Sequence, residues 1–146
     1  MKLSTKVRYG LRAMIYLALQ GQKDPVFTST IAKELDVSRK YLESLLIALK
    51  NAELLRSIRG YKGGYMLSRP AEDITIHDIY HALEGPVAII DCVNEKNHCT
   101  QSSICTAREF WGRVMLSISQ VLTNTTLDML ASIESDKKKS EFIYSI

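Results

Sequence analysis

Between Thr28 and Ser68 the chain runs through two short amphipathic stretches and then into LLRSIRGYKGGYMLS, a segment broken by three glycines. That order constrains the fold more than any other feature. A helix is predicted to begin after Thr28/Ser29, with Ile31, Ala32 and Leu35 on one face, and to stop at LDVS. Ser38 then caps a further helix, RKYLESLLIALKNA, whose Leu42, Leu45, Leu46 and Leu49 turn inward. Two such helices joined by three or four residues form a helix-turn-helix, but many all-helical cores contain the same pair. The glycine-broken segment separates the two cases. Residues 54–59 and 65–68 read as short strands around a turn in which Gly60, Gly63 and Gly64 permit positive φ and close backbone approach. A hairpin directly after a helix-turn-helix is a wing, and Arg59 and Lys62 put cations beside its tip. The fold class expected is therefore mainly α with a small β-hairpin: a winged helix-turn-helix followed by a long C-terminal dimerisation helix.

The flanking segments fit that frame. Val7, Leu11, Met14, Ile15 and Ala18 recur at helical spacing over residues 4–20, with Ser4 or Thr5 as a cap and Gly21 beyond the end; Asp24-Pro25 reads as a turn. Residues 75–83 form a short helix that stops at Glu84-Gly85-Pro86, and the cysteine segment after it reads as an irregular loop. A long helix over residues 106 to about 123 carries Ala107, Phe110, Trp111, Val114, Ile118, Val121 and Leu122 as a broad apolar stripe. A compact winged domain leaves such a helix little of its own chain to bury against, so a second copy is the expected cover, with Phe110, Trp111, Val114, Ile118 and Val121 at the dimer interface. Asn124-Thr125-Thr126 offers a break and a new cap, with Asp128 three residues after Thr125, before a last short helix through Leu130. The expected organisation is a DNA-binding domain over residues 1–85, a cysteine-containing loop over 86–105, dimerisation helices over 106–133 and a frayed tail over 134–146.

Charge supports a phosphate-rich partner. Up to Arg69 there are thirteen Lys and Arg against five Asp and Glu, a net +8; the remainder holds six against eleven, a net −5. Each phosphate neutralised by the basic half would release counterions, which is the main source of DNA affinity. No run approaches membrane-spanning length, and the early apolar segment is interrupted by Lys2, Lys6, Arg8 and Arg12, so a cytoplasmic, reducing compartment is expected. There is no nucleophile–base pairing and no G-x-x-x-x-G-K phosphate cradle, so an enzyme is not expected.

All three cysteines fall within DCVNEKNHCTQSSIC, spaced Cys92-x6-Cys99-x5-Cys105. An odd count in a reducing compartment disfavours a structural disulfide, and paired C-x2-C zinc ligands are absent. Thiolates with longer spacers can wrap an iron–sulfur cluster. Chemistry alone leaves cluster, zinc and free thiols open.

The chain resembles the IscR/NsrR/CymR family of dimeric bacterial winged-helix regulators over nearly its whole length. The matching signatures are MKLSTKVRYGLRAM, IAKELDVSRKYLESLLIALKNAELLRSIRG and GGYMLSRPAEDITIHDI, with REFW and TTLDML in the later helices. The resemblance implies a homodimer whose long helix, beginning near Ala107, crosses its mate. It places the Ser38 helix in the major groove of a double-stranded DNA operator and the wing in the minor groove. The implied DNA-binding residues are Thr28, Ser38, Arg39, Lys40, Tyr41 and Glu43, with Arg59, Gly60 and Lys62 at the wing. Iron–sulfur members hold a 2Fe–2S or 4Fe–4S cluster on three cysteines of this loop, which Cys92, Cys99 and Cys105 match. The fourth ligand departs from the pattern. Arg108 stands where IscR-like members have a histidine three residues after the last cysteine, and Arg8 stands where NsrR-like members have an acid from the other subunit; guanidinium cannot ligate. Glu109, one turn after Cys105, is a weak candidate. His98 reads as a loop histidine, and His77 and His81, four apart, as a solvated or phosphate-facing pair.

The function so implied is a sequence-specific repressor whose DNA affinity is set by an iron–sulfur cluster that senses cluster status, redox state or nitric oxide. The alternative is a CymR-like regulator controlled by a partner protein, with redox-active or unoccupied cysteines. A small metal-binding or electron-transfer protein is a third reading, but it leaves the wing and the basic half without a task.

Overall fold

The structure, a computed structural model, describes residues 3–88, 90–94, 99–101 and 103–145. Its helices are α1 (Thr5–Gln20), α2 (Thr28–Leu35), α3 (Arg39–Asn51), α4 (Ile76–Glu84), α5 (Asp91–Asn94), α6 (Thr106–Asn124) and α7 (Leu127–Tyr144). One two-stranded antiparallel sheet, β1 (Leu55–Ile58) and β2 (Gly64–Leu67), lies between α3 and α4.

Four helix starts, those of α1, α3, α4 and α7, are set by side chains that satisfy otherwise orphaned backbone N–H groups. The Ser4, Ser38 and Thr126 hydroxyls accept from the amides of Val7, Tyr41 and Met129. At α4, Thr75 and Asp78 cap each other reciprocally. The α7 cap thus falls on Thr126, within the expected Asn124-Thr125-Thr126 break. Between α2 and α3 the chain reverses through Asp36 at φ +52°, and its amide donates back to the last turn of α2.

Met14 and Leu17 of α1, Ile31 of α2, and Leu42, Leu46 and Leu49 of α3 are fully buried together with Leu54, Ile74 and Ile79. This is one core closed by three helices, the strands and α4. The hairpin pairs Leu55 with Leu67 and Ile58 with Gly64. Beyond the hairpin, Val26 and Tyr65 exchange both backbone hydrogen bonds at 2.9 Å, so the segment before α2 serves as a third, single-bridge edge. Gly64 makes this possible: at φ +151° a Cβ would lie 2.3 Å from the Val26 carbonyl oxygen.

The α6–α7 junction is tied back to this body. Ile76 N–H donates to Thr125 O at 2.9 Å, Leu127 N–H donates to Ile74 O at 2.8 Å, and the Leu127 side chain is fully buried in the winged-domain core. α6 itself buries only Met115.

Two expectations need correction. The segment after α4 is not irregular throughout, because Asp91–Asn94 closes a helical turn that carries Cys92. Nor does the last helix stop near Leu130 with a frayed tail over 134–146: α7 continues to Tyr144. The sequence past Leu130 lacks an apolar stripe, but Glu, Lys and Ser tolerate a helix, and Lys138 pairs with Glu134 one turn away at 3.1 Å. Among the described residues no helix is long and apolar enough to cross a membrane.

Candidate nucleic-acid interface and cysteine segment

Ser38 opens α3 at the protein surface, and the exposed residues of its first turns are Arg39, Lys40 and Ser44. Arg39 Nε donates to Glu43 Oε1 at 2.9 Å, an exposed pair one turn apart, so these two residues orient each other on the outer face. Arg39 also lines a cleft of about 260 Å³ with Thr28 and Ser29 of α2 and with Ser57, Ile58 and Gly60 of the hairpin. The start of α2, the start of α3 and the wing thereby share one surface. That surface brings together Thr28, Arg39 and Gly60, which lie far apart in the sequence.

Tyr41 is placed differently. Its ring meets the Tyr9 ring of α1 edge-on, with centroids 6.0 Å apart and planes at 88°, and its hydroxyl is buried without a hydrogen-bond partner. Arg8 and Arg12 lie 5.9 and 5.5 Å from the centroid of Tyr9, so the contact couples the start of α3 to a cationic part of α1. At the wing, Arg59, Gly60, Tyr61 and Lys62 are all exposed, and the tip closes through Gly63 N–H donating to Gly60 O at 2.9 Å. Phe27 and Ile58 also line the cleft and are about half exposed; neither stood out in the sequence, because each reads as ordinary core.

The cysteines lie on and beside later elements of the chain, α5 and the start of α6. Cys92, half-buried, sits in α5; Cys99 is exposed in the loop; Cys105, also exposed, occupies the N-cap position of α6 without capping through its side chain. Arg108 Nε donates to the Cys92 carbonyl oxygen at 2.6 Å, joining α6 to α5. A cleft of about 460 Å³ beside this contact is lined by Val93, Ile104, Cys105, Arg108, Glu109 and Gly112. Only Cys105 of the three thiols lines it. Glu109 does so too, as does the guanidinium-bearing Arg108, which cannot ligate a metal. Among the described residues no three His, Cys, Asp or Glu side chains come together as a metal-binding group. In this arrangement the residues do not fit a three-thiolate cluster. His98 lies outside the described residues. The His77 and His81 rings stack 6.1 Å apart beside the Arg69–Asp78 ion pair.

On α6, Phe110 is 57% and Val121 66% exposed, Trp111 is 39% exposed, and Val114 and Ile118 are partly covered. Phe110 and Trp111 meet edge-on at 5.2 Å. Most of the expected interface stripe is thus bare on the single chain.

A helix-turn-helix whose exposed, basic second helix shares a cleft with a glycine-tipped wing defines a winged-helix DNA-binding transcriptional regulator. The family described as Rrf2, iron-dependent transcriptional regulator, matches residues 3–133, and the chain belongs to that family. It is 38% identical to the HTH-type transcriptional regulator CymR of Bacillus subtilis over 144 residues, 99% of each chain. The solved structure of that protein, described as the global cysteine regulator of B. subtilis, superposes with a TM-score of 0.77, covering 91% of this chain and 98% of the other. Staphylococcus aureus CymR in its oxidized form is 42% identical, with a TM-score of 0.72 over 90% of this chain and 96% of its own. T. potens IscR is 34% identical, with a TM-score of 0.75 over 92% and 88%. Like its family, the protein is a DNA-binding transcriptional regulator and not an enzyme.

Proposed function

We propose that this chain is a sequence-specific repressor of the CymR kind, whose DNA binding is controlled by a partner protein and whose cysteines act as redox-active or unoccupied thiols. The observation that carries this reading is the arrangement around Arg108: its hydrogen bond to the Cys92 carbonyl and its place in the cleft beside Cys105 put a guanidinium, which cannot ligate a metal, against two of the three cysteine positions. The high identity to CymR across the full chain, and the existence of an oxidized form of one such relative, support the same reading. By the same analogy the regulated genes concern cysteine metabolism. The operator is read by Arg39, Lys40 and Glu43 from α3, with Thr28 at the start of α2 and Arg59, Gly60 and Lys62 on the wing. Ser38 and Tyr41 act by positioning α3, the first as its cap and the second through Tyr9.

A second reading, the iron–sulfur sensor, is favoured by one feature: all three cysteines lie between residues 92 and 105, as in the cluster-binding relatives. One experiment separates the two. Protein purified anaerobically is offered iron and sulfide, its absorption spectrum is recorded, and its affinity for an operator selected from random duplexes is measured before and after. Metal-free, reduced protein that binds the operator tightly, and whose affinity changes on thiol oxidation but not with iron, supports the CymR-like reading. Uptake of iron and sulfide that is lost in Cys92→Ala, Cys99→Ala and Cys105→Ala, with a matching change in DNA affinity, overturns it in favour of the cluster sensor.

A further inference from the structure

The wing tip carries an aromatic side chain that folding does not use. Tyr61 is 96% exposed, the most exposed of the large apolar and aromatic side chains among the described residues. It occupies a central position of the four-residue turn closed by Gly63 N–H donating to Gly60 O at 2.9 Å. The shape of the turn depends on its glycines. Gly60 holds φ +114°, and a Cβ on the buried Gly63 would stand 2.5 Å from the Ile58 carbonyl oxygen and 2.9 Å from that of Gly60. Below the tip, the Val26–Tyr65 bridge clamps the hairpin to the segment that enters α2. Tyr61 is therefore presented at the exposed tip of the hairpin, with exposed Arg59 and Lys62 beside it.

We propose that Tyr61 is a specificity-determining residue: its ring enters the minor groove of the operator flank and favours A·T pairs there. The inference rests on the DNA-binding reading above and extends it to a residue that neither charge nor motif singles out. Continuity fixes the occupant, because the hairpin lines one cleft with Arg39, so DNA seated against the start of α3 continues onto the wing. Charge complementarity points the same way, since the tip is cationic and meets a polyanion. The minor groove is about 6 Å wide, enough for a ring lying between apolar deoxyribose walls. There the phenolic hydroxyl can donate to adenine N3 or thymine O2, whereas the 2-amino group of guanine obstructs the groove floor.

The test is selection from a random-sequence duplex library by the wild-type dimer and by Tyr61→Ala, followed by titration of the enriched operator with flanking A·T, G·C or inosine·C pairs. Inosine removes the minor-groove amino group and leaves the major-groove acceptors in place. Wild type should enrich a core with A·T flanks and bind A·T and inosine·C flanks more tightly than G·C, on the order of tenfold, the scale of one base-edge contact. Tyr61→Ala should enrich the same core, lose the flank preference and keep the wild-type melting temperature. Tyr61→Phe should keep part of the preference, through the ring alone. A variant with wild-type flank preference overturns the inference and leaves the aromatic tip available to a protein partner instead. A wild-type protein that enriches no sequence at all contradicts the DNA-binding reading itself, which is a different failure.

Discussion

The winged domain and the C-terminal helices are built to different standards of completeness. From α1 to α4 nearly every large apolar side chain at a helical core position is buried, α1, α3 and α4 are capped by side chains, and the hairpin is bridged to Val26. In α6, 19 residues long, one residue is buried, while Phe110, Trp111, Leu116 and Val121 stand exposed. The first region is stabilised by its own contacts. The second carries apolar side chains without the neighbours to cover them, and its charge differs as well: residues 1–85 hold thirteen Lys and Arg against nine Asp and Glu, net +4, and the remainder six against seven, net −1. We propose that the two regions answer to different partners, the first to a polyanion and the second to another copy of the chain. Backbone hydrogen bonds of Ile76 to Thr125 and of Leu127 to Ile74 join the two.

The sharpest way to break this comparison is to truncate one side chain in each region. Leu46→Ala, at a fully buried site, should cost about 2–5 kcal/mol of unfolding free energy, with a midpoint that shifts at every protein concentration. Phe110→Ala should leave the unfolding of the single chain nearly unchanged and weaken association instead, which concentration-dependent denaturation separates. A Phe110→Ala penalty as large as that of Leu46→Ala, and independent of concentration, would show that α6 belongs to the self-contained region.

Within the winged domain, Gly64→Ala should force the hairpin away from Val26 at a cost of about 1–3 kcal/mol. Faster hydrogen exchange at the Tyr65 amide would report the loosened bridge, and exchange at the wild-type rate would show that the clamp is dispensable. On DNA, Arg59→Ala should lose roughly 1–3 kcal/mol of operator affinity if its groove contact is specific. Glu43→Ala frees Arg39 from its pair and should broaden sequence choice more than it lowers affinity. Equal losses on operator and random duplex for both variants would contradict that division of roles. The smallest effect is expected in α7, where the exposed Lys138–Glu134 pair should contribute under about 0.5 kcal/mol, so Lys138→Ala should barely move the thermal midpoint.

The winged domain was legible in the sequence because its determinants are local: apolar periods, Ser and Thr caps, and glycines at a turn. The limits of α6 were legible for the same reason. The extent of α7 was not, since residues 131–144 present no apolar stripe and their helix rests on weak propensities and two surface pairs. At the DNA surface, the spacing of Arg39 and Glu43 already allowed their ion pair, whereas the packing of Tyr41 on Tyr9 joins residues 32 positions apart and leaves no local trace. The cysteine spacing named three donors but could not say whether they converge. That depends on how α5 and α6 dock, which Arg108 governs here through the Cys92 carbonyl.

The measurement that bears most directly on the interdependence of the two regions is the solution mass and operator affinity of wild type and Ile118→Asp, determined together by light scattering and duplex titration. The expected result is a wild-type mass of twice 16.5 kDa and, for Ile118→Asp, a folded 16.5 kDa chain that no longer binds the operator. A monomeric wild type that binds at full affinity, or an Ile118→Asp dimer indistinguishable from wild type, would contradict it.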